Sequence, residues 1–265
     1  MNFGLSTACL YPQETEKTLE YFCNHQVPVV EVFLNTFSEL KLDYLDELRR
    51  MCRKAGTKIV SLHPFTSGFE PFMMFTEYER RFTDCVELYK PYFEACSFLG
   101  SEVVVLHGDR NDGVMEQERY FERYHRMYLE ARRYGVYLAQ ENVARCKSHS
   151  TDFIRAMHRA LGEDVRFVLD TKQAMRGGQN VFEMADAMGD RVVHVHLSDQ
   201  SEIEDCLPPG SGGLDIKRLL FALKSNGFDR NVIIELYRCN FREPIDLLVS
   251  LKFLTDLGIM HNYFE

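Results

Sequence analysis

Seven side chains able to bind a metal or move a proton stand at or near the ends of short apolar runs: Glu31, His63, His107, Glu141, Asp170, His196 and Glu235. Carboxylates and imidazoles are ligand types for divalent ions, and they are also the common general acids and bases. Any one of them alone is easily a helix cap or a satisfied loop residue. Gathered without a counter-ion they would repel and desolvate one another, and a divalent cation pairs such a set efficiently. What the set can do therefore depends on whether the fold brings it to one place.

The elements that must position these residues read as eight βα units. Runs rich in Val, Ile and Leu at 2–8, 28–34, 58–63, 102–107, 136–142, 165–170, 191–197 and 231–236 alternate with longer amphipathic stretches such as 40–55 and 77–99. Gly56, Gly100, Gly135, Gly162 and Gly227 mark helix ends ahead of the next run. Eight such units either open into a doubly wound sheet or close into a barrel. The count of eight, a length of 265 residues and the lack of a Gly-rich fingerprint after the first run all favour closure. The expected architecture is a single (β/α)8 TIM barrel, and with no linker-like stretch the chain reads as one domain over 1–265. In a barrel the C-terminal ends of all strands meet at one mouth, which would make neighbours of residues far apart in sequence.

Composition narrows the function classes. With 45% hydrophobic and 27% charged residues the chain can bury a full core. A net charge of −9 with scattered Lys and Arg argues against nucleic acid as a partner. No apolar stretch approaches membrane-spanning length and no signal-peptide pattern opens the chain, so a cytoplasmic protein without a membrane partner is expected. The eight cysteines form no CxxC pair and read as buried thiols of a reducing compartment.

Taken in order, the motifs Ser61-Leu62-His63-Pro64, Leu106-His107-Gly108-Asp109, Gln140-Glu141-Asn142, Leu169-Asp170-Thr171, His194-Val195-His196-Leu197-Ser198-Asp199, Pro209-Gly210-Ser211-Gly212-Gly213-Leu214-Asp215 and Ile233-Ile234-Glu235 resemble the xylose-isomerase-like barrel superfamily. That superfamily holds sugar and sugar-phosphate isomerases, ketose 3-epimerases, hydroxypyruvate isomerases, some dehydratases and barrel-type AP-site endonucleases. The resemblance covers essentially the whole chain. It implies that Glu141, Asp170, His196 and Glu235 bind one divalent metal ion, with Mn²⁺ favoured and Mg²⁺, Co²⁺ or Zn²⁺ as alternatives. It also implies that Glu141 and Glu235 are the catalytic pair on opposite sides of a small sugar, sugar phosphate or related keto-acid. His194, two residues before His196 on the same barrel-facing side, reads as a hydrogen-bonded interior histidine. Where many relatives carry Asp-x-x-His after strand six, this chain has Asp170-Thr171-Lys172-Gln173. In place of an Asp-x-His used by multi-zinc nucleases it has Asp215-Ile216-Lys217.

Isomerisation or epimerisation next to a carbonyl needs a Lewis acid on the oxygen and a base at the carbon. His63, His107, Gln173 and Arg238 are the candidate substrate-binding residues. Arg145 and Arg238 could receive a phosphate or carboxylate, and Glu31 could act behind the ligands. The segment 65–75, with four phenylalanines among Gly and Pro, reads as a loop over the mouth or a contact in a homo-oligomer. Competing readings are a metal-dependent dehydratase of a polyol ketone, an AP-site endonuclease, and a sugar-binding protein with a decayed site.

Overall fold

In the computed structural model of the protein, which describes residues 1–262, eight parallel strands close into a barrel. They are β1 (Asn2–Ser6), β2 (Val29–Leu34), β3 (Lys58–Pro64), β4 (Val103–Leu106), β5 (Tyr137–Glu141), β6 (Phe167–Asp170), β7 (Val192–Leu197) and β8 (Asn231–Ile234). Each strand pairs with the next in sequence, and β1 closes on β8 with Phe3 opposite Val232 and Leu5 opposite Ile234, which leaves no free edge. The one-domain expectation over 1–265 includes 263–265, which lie outside the described residues.

Ten helices cover the barrel among the described residues: α1 (Thr15–Asn24), α2 (Leu42–Ala55), α3 (Glu70–Met73), α4 (Glu79–Leu99), α5 (Gln117–Arg132), α6 (Thr151–Leu161), α7 (Thr171–Arg176), α8 (Val181–Met188), α9 (Ile216–Ser225) and α10 (Pro244–Asn262). In α2, Leu45, Leu48 and Cys52 recur at helical spacing and are buried, while its charged residues face out. Gly56 and Gly100 then stop α2 and α4 in the left-handed region, at φ 77° and 74°, where a side chain would be strained. None of these helices is long and apolar enough to cross a membrane. Seven of the cysteines are buried free thiols and Cys239 is exposed.

Inside the barrel, Val103, Val105, Ala139, Val168 and Val193 form a small apolar plug. Alternation along the strands then puts Glu141 above Ala139 and Asp170 above Val168, so the interior turns from apolar to ionisable towards the mouth. The expected strands overrun the observed ones at this end: His107, Asn142, Glu235 and Leu236 lie just beyond their ladders. The backbone there leaves the sheet but stays held by side chains. Asn142 accepts from Asp170 N at 2.7 Å and donates to Asp170 O at 2.9 Å, standing in for a ladder pair.

The segment 65–75 is more ordered than a loop. It contains a 3-10 turn (Phe65–Gly68) and the short α3. Phe75 is buried and stacks on Tyr120 at 4.1 Å, and Phe65 meets Phe37 edge-on at 5.0 Å. Phe69 and Phe72 remain 50% and 60% exposed.

Candidate metal centre and active site

Glu141 ends β5, Asp170 ends β6, His196 lies in β7 opposite Asp170 in register, and Glu235 follows β8. One potential ligand atom from each lies within 4.8 Å of all the others, although the residues span 95 positions of sequence from Glu141 to Glu235. His196 Nδ1 is the hub, at 3.2 Å from Glu141, 3.7 Å from Glu235 and 3.8 Å from Asp170. Backbone contacts fix the last of them: Cys9 Sγ bonds Ile234 O and Leu236 N on either side of Glu235. Asp170 Oδ1 caps α7 by accepting from Gln173 N at 2.8 Å, which turns Oδ2 to the cluster.

Behind the cluster Glu31 is fully buried. It accepts from Ser6 at 3.1 Å and Ser61 at 2.8 Å, and it holds His194 Nε2 at 3.1 Å and His196 Nε2 at 3.0 Å. A carboxylate on Nε2 leaves Nδ1 as the nitrogen that faces the other three residues, the arrangement of an oriented metal-binding histidine. His194 is an interior histidine bonded to Glu31, as its spacing predicts, and burial lowers its pKa.

The donor set fits a divalent ion. Glu141 Oε2 and Asp170 Oδ2 are buried without a well-formed hydrogen bond; each has one cationic neighbour, His107 Nε2 at 3.0 Å and Lys172 Nζ at 3.4 Å, and keeps lone pairs open to coordination. Burial pushes Asp170 up to about 7 against the pull of Lys172. Burial works in the same direction on Glu141, but His107 and His196 outweigh it and hold that carboxyl well below its usual range. Glu235 is lowered despite burial by Lys172 and His196. His196 stays well above the usual imidazole range because Glu31 and Glu235 overcome its own burial. Ion binding at Nδ1 would displace that proton.

Glu141 and Glu235 of the cluster line a cavity of about 940 Å³, with His63, His107, Arg145, Gln173 and Arg238 also on its wall. His63 stacks on Phe33 at 4.7 Å, and its Nε2 lies 3.0 Å from His107 Nε2. Burial lowers His63 to about 4. His107 Nε2 is 3.0 Å from Glu141 Oε2, and Arg145 lies 3.3 Å from His107 Nδ1. His63, His107 and Glu141 thus form a second close group that shares a glutamate with the first. Gln173 anchors its carbonyl oxygen on Ala144 N at 3.0 Å. Arg238 lies on the wall, but NH1 and NH2 donate to the carbonyls of Phe241 and Arg242, both at 3.1 Å. Asp215 caps α9 through Arg218 N at 2.9 Å, well suited to a structural role.

Two residues of the site carry no expectation from sequence. Lys172, in the first turn of α7, is buried with its side chain 3% exposed, and Nζ reaches Glu235 at 2.8 Å and Asp170 at 3.4 Å. Glu70, in α3, is buried and accepts from Tyr89 OH at 2.6 Å and from Gly108 N at 2.5 Å. It ties the aromatic segment to the turn after His107, where Gly108 is required: a Cβ there would lie 2.2 Å from Tyr120 OH. The one sequence signal for Lys172 is its place two residues after Asp170. Glu70 has none.

Known proteins share the fold. The chain resembles the crystal structure of a D-tagatose 3-epimerase-like protein with a TM-score of 0.82 at 20% identity, covering 99% of each chain. It resembles that of the IOLI protein with a binding zinc atom with a TM-score of 0.76 at 20% identity, covering 98% of this chain and 97% of the other. In sequence it is 26% identical to an inosose isomerase of Bacillus velezensis over 60% of this chain and 62% of the relative, so the match spans less than two thirds of that protein. The model of the xylose isomerase-like TIM barrel matches residues 19–257, from within α1 into α10, and the chain therefore belongs to that family.

Proposed function

We propose that the protein is a divalent-metal-dependent isomerase or epimerase of a small sugar or related keto-compound. The observation that carries this reading is the approach of Glu141 and Glu235, from β5 and from beyond β8, to one point with His196 and Asp170. Glu141, Asp170, His196 and Glu235 would hold the ion, which supplies Lewis acidity to a carbonyl oxygen. Mn²⁺ is the favoured ion for three oxygen donors and one imidazole, and the zinc of the IOLI protein makes Zn²⁺ the first alternative.

The chain's own groups do the rest. One glutamate takes the proton from the carbon beside the carbonyl, and the other, on the opposite side, returns a proton to the other face. Neighbouring cations favour the ionised form of each, as the glutamate acting as base requires. Its opposite number must carry a proton taken from solvent before it can return one, and the base ends the turnover protonated and gives that proton back to solvent. His63, His107 and Gln173 present hydrogen-bonding groups for substrate hydroxyls. Arg238 is tied to two carbonyls, so Arg145, beside His107, is the wall cation that an anionic group on a small sugar or keto-compound would meet. The inosose isomerase and the D-tagatose 3-epimerase-like protein among the relatives support the same class of substrate.

Incubation in D₂O with Mn²⁺, Co²⁺, Zn²⁺ or Mg²⁺ and a panel of ketohexoses and inososes tests this by NMR. The expected result is an isomeric product with solvent deuterium at the carbon next to the carbonyl. Loss of water in the product would replace the reading with a dehydratase, and no exchange with any sugar and ion would overturn it.

A further inference from the structure

The family's sites are read through carboxylates and histidine, yet here an ammonium group stands among them. Lys172 Nζ is 2.8 Å from Glu235 Oε2 and 3.4 Å from Asp170 Oδ2, and it lies 4.8 Å from the Tyr237 ring centre. Its side chain is almost wholly buried and lines the same cavity. A surface lysine would be solvated and mobile; this one has its charge committed to two of the four candidate ligands.

We propose that Lys172 is a tethered counter-cation of the metal site, sharing Glu235 and Asp170 with the divalent ion and making that ion exchangeable. This rests on the metal reading of Glu141, Asp170, His196 and Glu235. With an ion bound, the three carboxylates of that set are deprotonated and carry three negative charges. A divalent ion cancels two and Lys172 the third, while His196, neutral once Nδ1 holds the ion, keeps its Nε2–H on Glu31 at 3.0 Å. Two cations in one carboxylate cluster also repel each other, strongly so in a buried site. The lysine therefore does two things: it keeps Glu235 and Asp170 from repelling each other before the ion arrives, and it weakens the ion's hold afterwards. It is a positioning residue, since its role acts through the ligands.

The test is metal affinity, which needs no substrate. Protein freed of metal by chelation is titrated with Mn²⁺, following heat and the paramagnetic signal of the free ion, for the wild type, Lys172→Met and Lys172→Arg. Lys172→Met is expected to bind one Mn²⁺ at least ~10-fold tighter, while Lys172→Arg, which keeps the charge, stays within ~3-fold of the wild type. Metal-free Lys172→Met should melt below the metal-free wild type and gain more from saturating Mn²⁺. Folding of Lys172→Met only in the presence of Mn²⁺ would support the proposal, because the ion has then taken over the missing charge. Equal or weaker binding by Lys172→Met, equal tightening by Lys172→Arg, or failure of Lys172→Met to fold even at saturating Mn²⁺ would overturn it. Binding by all three proteins with one affinity removes only the role of Lys172, whereas binding by none removes the metal reading beneath it.

Discussion

Glu141 and Glu235 differ in what surrounds them, and this separates their expected roles. Glu141 is bracketed by His107 and His196, while Glu235 faces Lys172 across 2.8 Å. Replacing either with Gln keeps the shape but removes charge and proton acceptance, and turnover should fall by at least ~10²-fold with folding retained. Steady-state rates beside circular dichroism check this, and near-wild-type turnover in either variant would remove its role. Glu31→Gln should leave His196 less firmly oriented, and Mn²⁺ affinity measured by calorimetry should drop about 10- to 100-fold. For Gln173→Ala a rise in KM is expected with kcat little changed, because the amide would orient substrate without touching the proton. The convergence of Glu141, Asp170, His196 and Glu235 is legible from strand-end residue types, since a parallel barrel sends every strand end to one mouth. Lys172 was not: a lysine in the first turn of a helix reads as solvated, and its partner Glu235 is 63 residues away.

At the scale of elements, the short α3 is fastened over the mouth by one carboxylate. Burial raises Glu70 to about 7, well above an unfolded carboxyl, so the stability it contributes is fully present below the unfolded pKa and is lost as pH rises towards 7. The wild type should lose on the order of 3 kcal/mol through this group between about pH 4.5 and pH 8. Glu70→Gln should flatten that part of the profile; parallel pH dependence of the two proteins in urea melts would refute it. The strands and the glycine-stopped helices were readable because apolar runs and helix ends leave local signals. Their mouth-side limits were not, because residues such as Asn142 and Glu235 continue an extended path after the ladder has ended. The segment 65–75 lies at the mouth as expected, with Phe65 and Ser67 on the cavity wall, but it is not a loop. Its Gly and Pro suggested an irregular loop, whereas burial of Phe75 against Tyr120 and of Glu70 against Tyr89 folds it into two short turns.

For the whole molecule, closure of β1 on β8 completes the site, because Glu31 on β2 approaches His196 on β7 only around a closed wall. An ion at the mouth would bind residues drawn from β5, β6, β7 and the end of β8, so it should stabilise the barrel as a unit. Saturating Mn²⁺ should raise Tm with the logarithm of its affinity, and this rise should vanish in a variant lacking the Asp170 carboxylate. The most direct measurement is anomalous diffraction from crystals grown with Mn²⁺. One peak is predicted at the mouth, with oxygens of Glu141, Asp170 and Glu235 and Nδ1 of His196 at about 2.0–2.3 Å. A peak held instead by His63 and His107, or no peak within reach of these four side chains at saturating Mn²⁺, would contradict the account.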